Sequence, residues 1–255
     1  MISRFFSLLY AALAYLVFLA SFLYAVGWLG RFWVPKDIDS GVPGPRLAAI
    51  SVDVLLLAAF ALQHSIMARP GFKRWAALFV PAPIERATFV LASSLLLFAI
   101  CLGWRPLPAV VWHAQGVAAD LLLALFFAGW LVVLCATFMI NHFELFGLRQ
   151  AWLHARGRAY CAPGYVERFF YRIVRHPIML GFIVAFWATP VMTQGHLLFA
   201  VVTTLYILAA LQLEERDLLA EHGAAYESYR QRVPMLLPGG KLQRKRYAEA
   251  GARRA

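Results

Sequence analysis

Four short clusters of polar and ionisable residues interrupt an otherwise apolar chain of 255 residues. They lie at Gln63–Ser65, Asn141–Gln150, Arg175–Pro177 and Glu214–Asp217. Histidine, arginine and glutamate are the residue types that move protons and bind charged ligands. Because polar groups are costly inside a membrane, each cluster is a candidate functional site.

The pairing of Arg175 and His176 with Glu214 and Glu215 is the strongest candidate for ligand binding. The 38 residues from 176 to 213 carry no Asp, Glu, Lys or Arg. They fit two antiparallel crossings, so the two clusters are expected to be neighbours. Pro177 suits the first turn of a helix, where free N–H groups favour a carboxylate. Such a site can hold a zwitterionic cofactor, with its carboxylate toward Arg175 and its hydroxyls or cation toward Glu214 or Glu215.

Other interpretations of these clusters remain open. Arg175 is equally consistent with a simple membrane anchor, and the run that begins at Glu214 with a solvated helix end. Gly181 leaves room for close approach of a ligand or of another helix. His142 suits proton transfer or a plain pairing with Glu144 at the membrane interface. His64 and His142 do not make a metal site, since no third ligand is evident from spacing.

The composition shows what kind of element must position these residues. Hydrophobic residues make up 62% of the chain and charged residues 15%, and the mean hydropathy is +0.67. A soluble domain averages about 45–50% apolar and about 25% charged residues. The composition therefore excludes a soluble globular protein and predicts an all-α, polytopic membrane helical bundle.

The apolar stretches predict six membrane spans, and five is the alternative because either half of the last pair is marginal in length. Pro190 and the turn at residues 193–195 divide that pair into a helical hairpin. The six predicted spans are Phe5–Gly30, Leu47–Ala68, Ala87–Trp104, Val117–Met139, Pro177–Met192 and His196–Leu213.

The basic residues orient the spans. Of 24 Lys and Arg residues, all but Arg31, Lys36, Arg46 and Arg105 fall on one side, which the positive-inside rule makes cytoplasmic. Both termini and all four polar clusters are then cytoplasmic. The net charge of +11 reflects this topology first and attraction to anionic membrane lipids second. Nothing indicates nucleic-acid binding or an obligate protein partner.

The sequence after the last span predicts a cap and a tail. Apolar residues recur at helical spacing from Leu218 to Val233, and this face either packs over the site as a cytoplasmic cap or lies at the membrane interface. We expect residues 1–240 to form one integral-membrane domain, followed by a basic, flexible tail at 241–255.

The C-terminal half resembles the isoprenylcysteine carboxyl methyltransferases and their relatives. The resemblance rests on the segments Arg175–Gly181, Glu214–Glu215 and Gly223–Pro234. It implies that this region binds S-adenosylmethionine at the cytoplasmic face. One residue departs from the pattern, since Met179 stands where that family usually has tyrosine.

The N-terminal half narrows the resemblance to the nurim family. Its signals are Gln63–Ser65 and the more specific string Asn141–Gln150, and the similarity extends from about Tyr10 to Pro238. The bacterial members of that family include enzymes that methylate methanethiol to dimethyl sulfide, which implies a small thiol substrate and a location in the bacterial inner membrane.

The chemistry of thiol methylation assigns candidate roles at the N-terminal clusters. A thiol is a poor nucleophile until it is deprotonated, so His142 or His64 is a candidate base, assisted by the cation Arg149. The alternatives are methylation of a larger lipidic or prenylcysteine substrate by the same fold, a NADPH-dependent membrane reductase, and a non-catalytic membrane protein.

Overall fold

The computed structural model describes residues 3–161 and 167–239, and the predicted tail at 241–255 lies outside the described residues. Almost all regular structure is helical. In chain order the elements are α1 (Arg4–Gly30), α2 (Arg46–Ala68), α3 (Pro70–Ala76), α4 (Ala82–Gly103), β1 (Val110–His113), α5 (Val117–Ile140), α6 (His142–Leu145), α7 (Leu148–Ala155), a 3-10 turn (Phe169–Arg172), α8 (Pro177–Trp187), β2 (Val191–Thr193) and α9 (Gln194–Arg232).

Five helices of the described chain are long and apolar enough to cross a membrane, namely α1, α2, α4, α5 and α9. The side chains on their outer surfaces are largely Leu, Phe and Val, so the bundle presents an apolar belt. The prediction of an all-α, multi-pass membrane bundle is therefore confirmed.

The predicted span Pro177–Met192 is helical over only part of its length. Helix α8 has 11 residues, about 16 Å at 1.5 Å per residue, which is too short to cross a membrane. Pro190 explains the early end, because proline lacks an N–H and disfavours helical backbone in the residue before it. The lengths of the helices therefore support five membrane spans, the alternative to the six predicted.

The predicted hairpin nevertheless forms. After α8 the chain continues extended into β2, which pairs antiparallel with β1 from the loop between α4 and α5. The backbone N–H of Gln194 donates to the carbonyl of Ala109 at 2.8 Å and so fixes the tip of the hairpin. The side-chain hydroxyl of Thr193 then caps the start of α9.

Helix α8 packs closely along α5 because two glycines face each other. A Cβ added at Gly129 would lie 2.7 Å from the carbonyl oxygen of Gly181, and the reverse substitution would meet the carbonyl oxygen of Gly129 at 2.7 Å. The main core lies next to this contact, toward the tip of the hairpin. Its large buried side chains include Trp28, Trp104 and Phe126.

Helix α9 continues beyond the apolar part of the bundle and bends at Gly223. That residue has φ +53° inside an otherwise helical segment, a conformation that glycine adopts without steric cost. The bend directs the last part of α9 across the start of α8.

Candidate active site

Three of the four polar clusters meet at α9, at one end of the bundle. We call this end the site end. It is the end where α2 and α5 finish and where α4 and α8 begin. The hydroxyl groups of Ser65 and Tyr206 lie 3.1 Å apart, and Arg69 pairs with Asp217 at 2.7 Å. The structure thus brings the end of α2 against the polar part of α9, as the topology predicts.

Arg175 donates four hydrogen bonds at the site end. Its Nε and a terminal nitrogen donate to the two carboxylate oxygens of Glu215, at 2.6 and 2.8 Å. Its other terminal nitrogen donates to the carbonyls of Arg230 and Val233, at 3.2 and 2.6 Å. Four of the five guanidinium N–H groups are therefore engaged within the protein. The arrangement holds the end of the chain against α8.

Glu215 collects donors from three parts of the chain. Besides Arg175, it accepts hydrogen bonds from His176 Nε2 at 3.1 Å and from the hydroxyl of Tyr226 at 3.2 Å. The residue is only 8% exposed. A carboxylate with this many donors is stabilised in its charged form despite burial. We call Arg175, His176, Glu215 and Tyr226 the Arg175 cluster.

Glu214 has a different environment from its neighbour. Its side chain is 49% exposed, and its Oε2 lies 3.8 Å from His176 Nδ1. In the sequence the two glutamates are equivalent candidate partners for a ligand. The structure distinguishes them, since the carboxylate of Glu215 is committed to the protein and that of Glu214 faces outward beside His176.

The last residues of the described chain close over the Arg175 cluster. The backbone N–H of Arg175 donates to Pro234 at 2.9 Å, and that of His176 donates to Met235 at 3.2 Å. Tyr226, Tyr229 and Val233 form a buried apolar group on the same segment. Of the two predicted alternatives, the segment is the cap rather than a helix lying apart at the membrane interface.

Pro177 and Gly181 follow the Arg175 cluster along α8. Pro177 is the first residue of the helix, as predicted. The space beside Gly181 is filled by Gly129 and Val133 of α5. Of the two predicted uses of this glycine, the structure shows close approach of another helix and gives Gly181 no room for a ligand.

His142 lies in a second group at the site end, the His142 cluster, formed by Tyr15, Thr137 and His142. The hydroxyl of Thr137 donates to Leu134 O at 2.7 Å and lies 2.9 Å from His142 Nδ1. If the Thr137 hydroxyl proton is assigned to Leu134 O, Thr137 is left to accept a hydrogen bond from Nδ1–H. In this tautomer His142 Nε2 accepts a hydrogen bond from the Tyr15 hydroxyl, 2.8 Å away.

The surroundings of His142 keep the imidazole neutral. The ring is 5% exposed and stacks on Phe138 at a centroid distance of 4.2 Å. Burial lowers the pKa of His142 below its ordinary value, because the charged form loses hydration. The imidazole is therefore neutral, and its basic nitrogen, Nε2, is hydrogen-bonded to the hydroxyl of Tyr15.

Glu144 is the residue to which the side chains of Asn141, Arg149 and Gln150 are hydrogen-bonded. Asn141 ends α5, caps the short helix α6 through a 3.4 Å contact with the N–H of Glu144, and donates to its carboxylate at 3.1 Å. Arg149 and the hydroxyl of Tyr160 also donate to this carboxylate. Burial, followed by the hydrogen bond to Glu144, raises the pKa of Tyr160 to about 12. Arg149 is thus a partner of Glu144, and the predicted pairing of His142 with Glu144 is not formed.

His64 lies apart from the His142 cluster. Its Nδ1 is 3.3 Å from the hydroxyl of Ser93, and its ring packs between Phe60 and Phe89. In the part of the chain that the structure describes, no hydrogen bond joins His64 to His142. Both histidines lie near the site end. His64 lies between α2 and α4, and His142 lies between α1 and the end of α5.

Sequence reasoning missed Tyr15 as a site residue. It is one of three tyrosines in the apolar helix α1, and its neighbours in the sequence, Ala14 and Leu16, are apolar. Tyr160 likewise lies in the irregular segment after α7, where no motif marks it. Their partners His142 and Glu144 are 127 and 16 residues away, so only the fold identifies them.

Comparisons with known proteins agree with this architecture. The family model described as NnrU protein matches residues 54–234. Methanethiol S-methyltransferase 2 of Bradyrhizobium diazoefficiens is 54% identical over 238 residues, covering 93% of this chain and 92% of that protein. The methanethiol S-methyltransferase of Mycobacterium tuberculosis is 54% identical over 236 residues, covering 92% and 97%.

A more distant relative is nurim of Pan troglodytes, which is 28% identical over 231 residues, or 78% of this chain and 87% of nurim. No solved structure matches the chain. The family model covers well over half of the sequence, and enzymes that share half of its residues are methyltransferases. The protein is therefore a membrane methyltransferase that belongs to the NnrU family.

Proposed function

We propose that the protein transfers a methyl group from S-adenosylmethionine to methanethiol and forms dimethyl sulfide. The observation that carries this proposal is the identity of 54% over more than nine-tenths of both chains with proteins named methanethiol S-methyltransferase. The positive-inside arrangement of the basic residues supports a site on the cytoplasmic side of a bacterial inner membrane.

The groups around α8 fit the amino-acid end of S-adenosylmethionine. Glu214, half exposed beside His176, suits the ammonium group. The free N–H groups of the first helical turn after Pro177 suit the carboxylate. Arg175 and Glu215 position His176 and the cap, since their own hydrogen bonds are largely used within the protein. When bound, the cofactor supplies a methyl group activated by a sulfonium.

The His142 cluster supplies a route for the thiol proton. Tyr15 takes the proton of the thiol as it hands its own hydroxyl proton to His142 Nε2, and Nδ1–H stays with Thr137. The thiolate would then bond to the methyl carbon as the bond between that carbon and the sulfonium breaks, and S-adenosylhomocysteine would be the leaving group. One proton is left on the imidazole and returns to water after turnover. His64, enclosed by phenylalanine rings, is the second candidate for the proton acceptor.

Labelled cofactor tests the proposal directly. Purified protein is supplied with methanethiol and S-adenosylmethionine carrying a trideuterated methyl group, and the dimethyl sulfide in the gas phase is analysed by mass spectrometry. We expect one label per product molecule. A well-folded sample that gives no labelled dimethyl sulfide overturns the proposal, and a prenylcysteine substrate and NADPH are then tested in its place.

Cofactor binding is measured separately by calorimetry with S-adenosylhomocysteine. We expect Glu214→Gln to weaken binding by at least about tenfold, because a hydrogen bond to a charged group is lost. Glu221→Gln is the matched control, since Glu221 is an exposed carboxylate of the same helix. Equal affinities for the two variants would remove Glu214 from the proposed site.

A further inference from the structure

A further polar site lies at the site end, outside the Arg175 and His142 clusters, and it includes Asn141, Glu144, Gln150 and Tyr160 of the group around Glu144. It is a groove of about 780 Å³ between the α3–α4 connection and the chain around α7. Three cationic side chains line it, those of Lys73, Arg86 and Arg158. We call it the basic groove.

The cations of the basic groove have no carboxylate partner. Among residues 3–161 and 167–239, none of the three forms an ion pair. Arg86 directs only its Nε to a protein acceptor, the carbonyl of Leu145 at 2.8 Å. The groove also contains Glu85 and Glu144, but Glu144 is neutralised by Arg149. Within the described chain, three cations face this concave surface against one carboxylate, Glu85, that is not held in an ion pair, so the net charge is positive and favours an anionic ligand.

The rest of the lining combines polar side chains, those of Asn141, Gln150, His154 and Tyr160, with an apolar part at the edge of the membrane. Val80, Pro83 and Ile140 contribute to the groove, and Ile140 is the exposed last residue of the membrane helix α5. Trp75 and Phe79, just before the groove, are exposed large apolar residues. Aromatic and basic side chains of this kind are typical of the headgroup level of a bilayer.

We propose that the basic groove binds the headgroup of an anionic phospholipid. The cations face the phosphate, and the apolar lining faces the glycerol and the first carbons of the acyl chains. The combination fits a membrane lipid better than a soluble anion, because a soluble anion has no use for the apolar half of the surface. The site is separate from the Arg175 cluster and does not depend on the identity of the methyl acceptor.

Lipid retention in native mass spectrometry tests this proposal. The detergent-purified, delipidated protein is mixed with phosphatidylglycerol or phosphatidylcholine that carries the same acyl chains. We expect the wild type to retain phosphatidylglycerol preferentially. The variant Lys73→Gln/Arg158→Gln should lower its affinity by about thirtyfold, since each basic side chain near an anionic headgroup contributes about fivefold.

The control variant Arg46→Gln/Arg105→Gln removes two charges at the opposite end and should keep the preference. Thermal unfolding confirms that both variants are folded. The proposal is overturned if the groove variant retains phosphatidylglycerol as well as the control does. It is also overturned if excess inorganic phosphate displaces the lipid completely, because the groove would then be a site for a soluble anion.

Discussion

At the scale of single residues, two adjacent glutamates show how position decides role. Glu215 is buried and receives four hydrogen bonds from Arg175, His176 and Tyr226. Glu214 is half exposed and has only His176 nearby. Glu215 therefore stabilises the protein, and Glu214 is available to a ligand.

Substitution of each glutamate by glutamine should separate these roles. We expect Glu215→Gln to lower the free energy of unfolding by about 3–5 kcal/mol, because it leaves the buried charge of Arg175 uncompensated. Glu214→Gln should change it by less than about 0.5 kcal/mol, as for other exposed positions. Denaturant unfolding in detergent measures both values. Equal losses would contradict the distinction between the two carboxylates.

The His142 cluster makes a prediction about pH. The proposed reaction needs a neutral imidazole, and the neutral fraction increases as pH rises through the pKa. Because burial lowers the pKa of His142, the neutral form persists into more acidic solution. We expect kcat/KM to fall only below pH about 6.5, the ordinary value for histidine.

Substitutions of Tyr15 and His142 test the proton route. Tyr15→Phe and His142→Gln should each lower kcat by about 10²–10⁴-fold, and the double variant should be no slower than the slower single variant, because the two groups act as a unit. The acid limb of the pH profile should disappear in His142→Gln. Additive losses with an unchanged profile would indicate a structural role only. His64→Gln in the same assay tests the other candidate base.

At the scale of elements, the contact between α5 and α8 sets the position of the Arg175 cluster. Helix α8 begins directly after His176, and Gly181 lies on Gly129 of α5. The same face of α5 continues toward Thr137, which holds His142. A shift between these two helices would therefore move both clusters relative to each other.

Alanine at Gly129 should disturb this contact. Its Cβ would lie 2.7 Å from two backbone atoms of α8, which cannot move independently. We expect the free energy of unfolding to fall by about 1–3 kcal/mol, even after the gain of about 1 kcal/mol in helix propensity. Gly44→Ala is the control, since nothing lies within 4 Å of its added Cβ. A Gly129→Ala protein as stable as this control would contradict the packing.

At the scale of the whole molecule, the end of the chain completes the site. Carbonyl groups from Arg230 to Met235 accept hydrogen bonds from Arg175 and His176. The cap thus ties the last described residues to the start of α8, some 58 residues earlier.

Two truncations should separate the cap from the tail. A chain that ends after residue 232 loses the acceptor carbonyls of Val233, Pro234 and Met235. We expect it to have a lower unfolding temperature and to lose affinity for S-adenosylhomocysteine. A chain that ends after residue 240 lacks only the predicted flexible tail and should match the full-length protein in both measurements. A stable, binding-competent protein ending at residue 232 would show that the cap is dispensable.

The membrane bundle and the grouping of its polar residues could be predicted from composition and spacing alone. Hydropathy depends only on local composition, so the long apolar helices could be located without tertiary contacts. The proximity of Arg175 to Glu215 followed from the length of the apolar stretch between them, because two crossings return the chain to the level at which it entered. The motifs at Asn141–Gln150 and Arg175–Gly181 indicated the methyltransferase relatives.

The partner of each polar side chain, in contrast, depends on the folded structure. Contacts between residues far apart in sequence determine that Arg175 is held by Glu215 and the cap, that Gly181 faces α5, and that His142 is bonded to Tyr15. The short length of α8 was also decided there, since the pairing of β2 with β1 completes the hairpin without a full helix. Composition and spacing carry no information about these pairings, because they depend on how the helices pack together.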